Sequence, residues 1–314
     1  MLFLAAVAKV LPVFLLILLG VMLRLRHFLA PATVRDMKRL VLNVTLPAAL
    51  FLAFSTVIIE WKYLVIVGTI FAACLAVFLL GRPLNLLTGV RSEYFPPLLT
   101  GFEAGMLGYA IFTAVYGAQN ISVFGIVDLG QVLFVLLVLI PTLQRRAEGG
   151  QTLAATVAGI IRTPVILAVA GGLVFQKLGL VPIFETDPLL DGILQAVRLV
   201  GAMTSPLVAL AIGYELHFQQ GALRRPLITQ GVRLLIWIPA GVLFARMVVG
   251  GLLGLEPIFQ AAILTMVLLP APFVIPIVMR GSDEAESSYV VNTLTLGTLC
   301  TLVAYAVVPV IFPP

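Results

Sequence analysis

Charge is scarce in this sequence: Asp, Glu, Lys and Arg make up 11% of its 314 residues, against about 25% in soluble domains. A chain so poor in charge cannot dress itself in a water-facing surface, which excludes a soluble globular domain. Histidine and cysteine are rarer still, with two of each. His27 and His217 have no neighbour at metal-ligand spacing and are assigned no function, while Cys74 and Cys300 each lie inside an apolar run. Neither a zinc site nor a disulfide framework is therefore expected. No Ser–His or paired-carboxylate constellation, nucleotide loop or ligand cluster is recognisable, so the chain is not expected to be an enzyme or to need a cofactor or metal.

What fills the sequence instead is apolar: 61% of residues are hydrophobic and the mean hydropathy is +1.15. The charges gather in short clusters between apolar stretches of roughly twenty residues, the length that crosses a hydrocarbon layer about 30 Å thick. Such stretches fall at roughly 3–23, 38–58, 62–81, 95–117, 121–142, 153–176, 189–213, 227–250, 257–279 and 289–312. The expected fold class is therefore an all-α membrane protein of ten transmembrane helices. The first stretch lacks a basic leader and a small-residue cleavage site, and reads as a retained span.

The excess of base (net +5,; isoelectric point near 9.5,) sits at the ends of apolar stretches, where it marks orientation rather than a nucleic-acid face. Arg24, Arg26, Arg35, Lys38, Arg39, Arg82, Arg91, Arg145, Arg146, Arg162, Arg224, Arg225, Arg233 and Arg280 fall near one set of alternate connections. The other set has Lys9, Lys62, Lys177, Arg198 and Arg246, with the acids Glu185, Asp187 and Asp191. The positive-inside rule makes the first set cytoplasmic and puts both termini outside.

The two halves of the chain echo each other. Arg39-Leu-Val-Leu-Asn-Val-Thr-Leu-Pro47 matches Arg198-Leu-Val-Gly-Ala-Met-Thr-Ser-Pro206 at five of nine positions, 159 residues on. Pro12-Val13 pairs with Pro164-Val165, Gly117 with Gly281 and Pro141 with Pro309, at offsets of 152, 164 and 168 that grow smoothly along the chain. Units of five spans, an odd number, enter the membrane from opposite sides, so residues 1–142 and 153–314 are expected to form two inverted five-helix repeats.

Two stretches are poorly built as continuous helix. The fourth carries Gly101, Gly105 and Gly108 near its middle, and its repeat mate, the ninth, carries Pro270, Pro272 and Pro276. Proline removes a helix N–H and clashes with the preceding turn, and glycine tolerates unwound backbone. Freed backbone groups cannot face lipid, so two matched breaks point to a binding site at the bilayer midplane. Helix N-termini aimed at one point favour an anion, and a carboxylate is the natural guest.

Ten spans, Leu42-Asn-Val-Thr-Leu-Pro47, Gly101-Phe-Glu-Ala-Gly-Met-Leu-Gly-Tyr109 and a proline-rich ninth stretch resemble the auxin efflux carrier family over essentially the whole chain. The short Gln144–Gln151 connection is similar to that of its bacterial members. The resemblance implies an inverted-repeat fold like that of bile-acid, arsenite and riboflavin transporters. It also implies a scaffold domain (spans 1, 2, 6, 7), a transport domain (spans 3–5, 8–10) and an elevator-type cycle in a bacterial inner membrane. Its implied cargo is a small organic anion, a mono- or dicarboxylate, with homodimer formation left open. Many relatives carry Asn at the crossover where this chain has Glu103.

The residues expected to touch substrate are Asn43, Thr45, Glu103, Gly105, Met106, Tyr109, Thr204, Ser205, Pro270, Pro272 and Phe273. Glu103, an ionisable group near the bilayer centre, is expected to exchange a proton during transport, neutral while the anion is bound, or else to form a structural pair with Lys9 or Arg198 or to stand as a buried neutral hydrogen-bond donor. Asp128 and Gln131, three residues apart on one helix face, are expected to support the broken segment or to help coordinate a cation. The expected partners are thus an organic anion, H+ or Na+, and membrane lipid. The alternative of the same architecture is a sodium-coupled symporter or cation/proton antiporter.

Overall fold

The computed structural model describes residues 2–147, 163–279 and 284–313. Helix is the only regular secondary structure among them. In chain order the elements used below are α1 (Leu2–Leu25), α2 (Pro31–Phe54), α3 (Trp61–Thr88), α4 (Phe95–Leu99), α5 (Tyr109–Tyr116) and α6 (Ala118–Leu143). The second half supplies α7 (Pro164–Lys177), α8 (Leu180–Thr186), α9 (Pro188–Glu215), α10 (Arg224–Leu252), α11 (Pro257–Leu268), α12 (Val274–Val278) and α13 (Glu284–Ile311). The opening of the sixth apolar stretch, together with Arg162, Arg280 and Gly281, lies outside the described residues.

Local chemistry sets many of the ends. Proline opens α2, α7, α9 and α11, where its missing N–H costs nothing. Asp187 caps α9, its side chain accepting from the N–H groups of Leu189 and Leu190 at 2.9 and 3.1 Å. Helix α3 stops at Gly89 in the left-handed conformation (φ 69°).

Seven helices among the described residues are long and apolar enough to cross a membrane, and the pair α7 and α8, bent by 81°, makes an eighth if taken as one span. Leu11–Leu25 and α11 are shorter apolar helices. The outward faces of these helices are themselves apolar: Leu15, Leu64, Leu87, Leu189, Leu235 and Val303 are all exposed. In water such a perimeter would be an aggregation surface, whereas hydrocarbon is its natural solvent.

The helices pack in two groups. In one, α1 lies against the second half of α9, and α7 against the second half of α2. In the other, α3 packs on α4 and α6, α10 on α11 and α13, and α11 on α6. The stretch containing α4 and α5 is enclosed between them, with 83% of its most apolar 18-residue window buried, against 28% for that of α3. Irregular backbone at membrane depth has to be walled in by protein, and the interrupted segment is the one so walled.

Candidate functional site

Both weak stretches are interrupted. The first breaks between α4 and α5 at Thr100–Glu103 and resumes through a π-turn, Ala104–Gly108. The second breaks between α11 and α12 over residues 269–273. Gly101 turns the chain with φ +66°, and a Cβ built on it would lie 2.7 Å from Pro272 Cγ, so both the conformation and the approach of the second break demand glycine. At Gly105 the nearest atom to such a Cβ is 3.8 Å away, so no close approach demands glycine there.

The breaks bond to each other. Glu103 N–H donates to the carbonyl of Pro270 at 2.9 Å. The Glu103 carboxylate then accepts twice, from Met106 N–H on Oε1 (3.0 Å) and from Phe273 N–H across the crossing on Oε2 (2.6 Å). One carboxylate thus satisfies a freed donor from each interrupted helix, which is what a buried unwound backbone requires. Pairing with Arg198 is excluded, because Arg198 binds Glu185 at 3.0 Å.

The freed carbonyls are met by side chains that sequence reasoning passed over. Arg233, counted above as a cytoplasmic-end cation, is 1% exposed. Its Nη1 donates to Leu98 O (3.2 Å), and its Nη2 to Gly101 O (2.6 Å) and Leu269 O (3.1 Å). Its guanidinium also lies 4.9 Å from the centre of the Phe102 ring. Trp237, one turn on, donates from Nε1 to Leu99 O at 2.7 Å, and Thr301 Oγ1 donates to Leu268 O at 2.5 Å. The available signal was depth: Arg233 stands six residues inside the 227–250 stretch, about 9 Å along a helix.

A third line of bonds holds the break from α6. Gln131 accepts from Phe102 N–H at 3.1 Å and donates to Asp128 Oδ1 at 2.5 Å. Asp128 Oδ2 accepts the Tyr109 hydroxyl at 3.0 Å. All three side chains are buried, and together they tie the first break to α6.

Two cavities flank the crossing. One of about 330 Å³ is lined by Lys38, Glu215, His217, Gln219 and Phe273. The other, about 660 Å³, is lined by Tyr109, Thr113, Thr204, Ser205, Arg198 and Glu185. Helix α2 runs from Lys38 at the first to Ala49 and Ala53 at the second, and α9 from Glu215 to Arg198 in the reverse sense. The cavities therefore open at opposite ends of these helices. Phe273, bonded to Glu103 of the crossing, and Tyr109, bonded to Asp128 of α6, face one cavity apiece.

Of the expected residues, Glu103, Met106, Pro270 and Phe273 meet in the crossing's hydrogen bonds, Pro272 packs on Gly101, and Tyr109, Thr204 and Ser205 line the larger cavity. Thr45 is buried and accepts from Thr204 Oγ1 at 3.0 Å. Asn43 is not brought in. It is exposed, and its amide bonds back to Arg39 O at 2.7 Å, as a polar side chain within a helix readily does. Compared with known proteins, the sequence matches no family model and no curated protein.

Proposed function

We propose that the chain is a secondary carrier working by alternating access, with a small organic anion bound at the crossing of the two interrupted helices. One observation carries this reading: N–H groups freed from both breaks converge on a single carboxylate, that of Glu103, with a cavity on either side. A receptor built to hold one carboxylate can hold another. A substrate carboxylate takes these donors when Glu103 releases them, and Glu103 then carries a proton, so that two negative charges never share the site.

Ten spans in two inverted repeats are part of the proposal. Packing supports them: α1 on α9 with α7 on α2, and α3 on α6 with α10 on α13, are the pairs that a two-fold axis would interchange. The matched segments are also both irregular, a π-turn at Val41–Thr45 in one and a helix interruption at Met203 in the other. The group containing α1, α2, α7 and α9 is the scaffold, and α3–α6 with α10–α13 the moving part. The resemblance of its motifs to those of the auxin efflux carriers supports reading the chain as a member of that family, in a bacterial inner membrane with both termini outside.

Thermal-shift measurements on the detergent-purified protein, against mono- and dicarboxylates across pH, test the anion reading, since a ligand that prefers the folded state raises its midpoint. A second reading, a sodium symporter or cation/proton antiporter, is favoured by the two buried carboxylates Glu103 and Asp128. A midpoint that responds to sodium and to no anion selects it; flux into proteoliposomes separates either carrier from a protein that moves nothing.

A further inference from the structure

An interrupted helix leaves carbonyl oxygens at its C-terminal end without N–H partners, and they carry the negative pole of the helix. In inverted-repeat carriers such ends are where a coupling cation is coordinated. Here the carbonyls of Leu98 and Gly101, at the end of α4, and of Leu269, at the end of α11, point to one place, and the guanidinium of Arg233 stands in it at 2.6–3.2 Å.

A buried arginine ordinarily pairs with a carboxylate. Among the described residues no carboxylate is in ion-pair contact with Arg233, and its Nε has no hydrogen-bond partner. Its charge is met by carbonyl oxygens and the face of Phe102. That is the environment of a bound cation rather than of one half of a salt bridge.

We propose that the carbonyls of Leu98, Gly101 and Leu269 form a monovalent-cation site that Arg233 fills permanently from α10. Two consequences follow. The crossing takes up no sodium, because the place for it is occupied by a side chain of the same charge. The ends of α4 and α11 are also tied to α10, so that they move with it as one piece. Neither consequence depends on what the cargo is.

The test is the thermal midpoint of purified protein in sodium, choline and methylguanidinium chlorides at equal ionic strength. Wild type is expected to give the same midpoint in all three. Arg233→Ala empties the cradle: its midpoint falls in choline and rises by several degrees, saturably at millimolar concentration, with methylguanidinium. Arg233→Met keeps the packing of the stem and is expected to show the same rescue if the alanine variant does not fold. A saturable rise of the wild-type midpoint in sodium over choline overturns the proposal, and so does a vacated cradle that methylguanidinium stabilises no more than choline. The wild-type comparison decides alone if neither variant is recovered.

Discussion

Thr204 Oγ1 donates to Thr45 Oγ1 at 3.0 Å, and the two residues are 159 apart in sequence. The same offset aligns the two halves of the chain, so these positions are repeat mates that touch each other. Residues meet their own mates where they lie on a two-fold axis, which supports placing the axis of the proposed inverted repeat between α2 and α9. Both belong to the proposed scaffold. A second contact, Thr113 Oγ1 to Ser205 Oγ at 2.8 Å, joins α5, in the proposed moving part, to that scaffold.

These two contacts predict opposite outcomes for engineered cross-links. Thr45→Cys with Thr204→Cys, once oxidised, is expected to leave transport intact, since it ties the scaffold to itself. Thr113→Cys with Ser205→Cys is expected to stop transport when oxidised and to recover it on reduction. Flux into proteoliposomes before and after reductant reads both. Undiminished flux through the oxidised second pair would show that α5 and α9 do not separate in the cycle.

Glu103→Gln separates charge from shape. A carboxylate can accept at both oxygens, but an amide offers one acceptor and one donor, so either Met106 N–H or Phe273 N–H loses its bond. An orphaned buried donor costs about 1–3 kcal/mol, and the midpoint is expected to fall accordingly. Because the substituted amide is neutral at every pH, stabilisation of the variant by carboxylates should lose the pH dependence expected of wild type. An unchanged pH profile would remove Glu103 from proton exchange.

Gly101 and Gly105 form an internal control. Gly101→Ala forces a side chain into φ +66° and to within 2.7 Å of Pro272 Cγ, and should destabilise by about 1–3 kcal/mol from backbone strain alone. Gly105→Ala meets nothing closer than 3.8 Å and should leave the midpoint within about 0.5 kcal/mol of wild type. Equal losses would mean that the crossing is looser than its geometry.

The breaks were legible because their causes are local: three glycines in one stretch and three prolines in the other speak for themselves in one dimension. Asp128 and Gln131 were legible too, since helical spacing puts them on one face. Arg233 was not, because counting charges near span ends cannot tell an arginine at the headgroups from one turned inward against a neighbouring break. Glu103 was singled out, as one half of a pair with Lys9 or Arg198 or as a neutral hydrogen-bond donor, whereas in the structure it accepts from backbone N–H groups, and donors of that kind leave no trace in residue identity. Asn43 failed for a related reason: which face of α2 meets the cavity depends on how α2 packs, and its own helix supplied Asn43 with an acceptor.

The line Phe102, Gln131, Asp128, Tyr109 predicts a ranking along its length. Tyr109→Phe removes one bond at the cavity end and leaves Gln131 and the break untouched, for a loss of about 1 kcal/mol. Asp128→Leu is worse, because it removes the acceptor of both the Tyr109 hydroxyl and Gln131 Nε2. Gln131, left with a buried amide NH2 that has no acceptor, no longer holds its carbonyl oxygen in place for Phe102 N–H. The disturbance therefore reaches the break from two residues away. Gln131→Leu, which strands Phe102 N–H outright, should cost as much as Asp128→Leu, and the double variant less than the sum of the two, since the two changes break the same connection. Additive losses in thermal midpoint would show that Asp128 acts independently of the break.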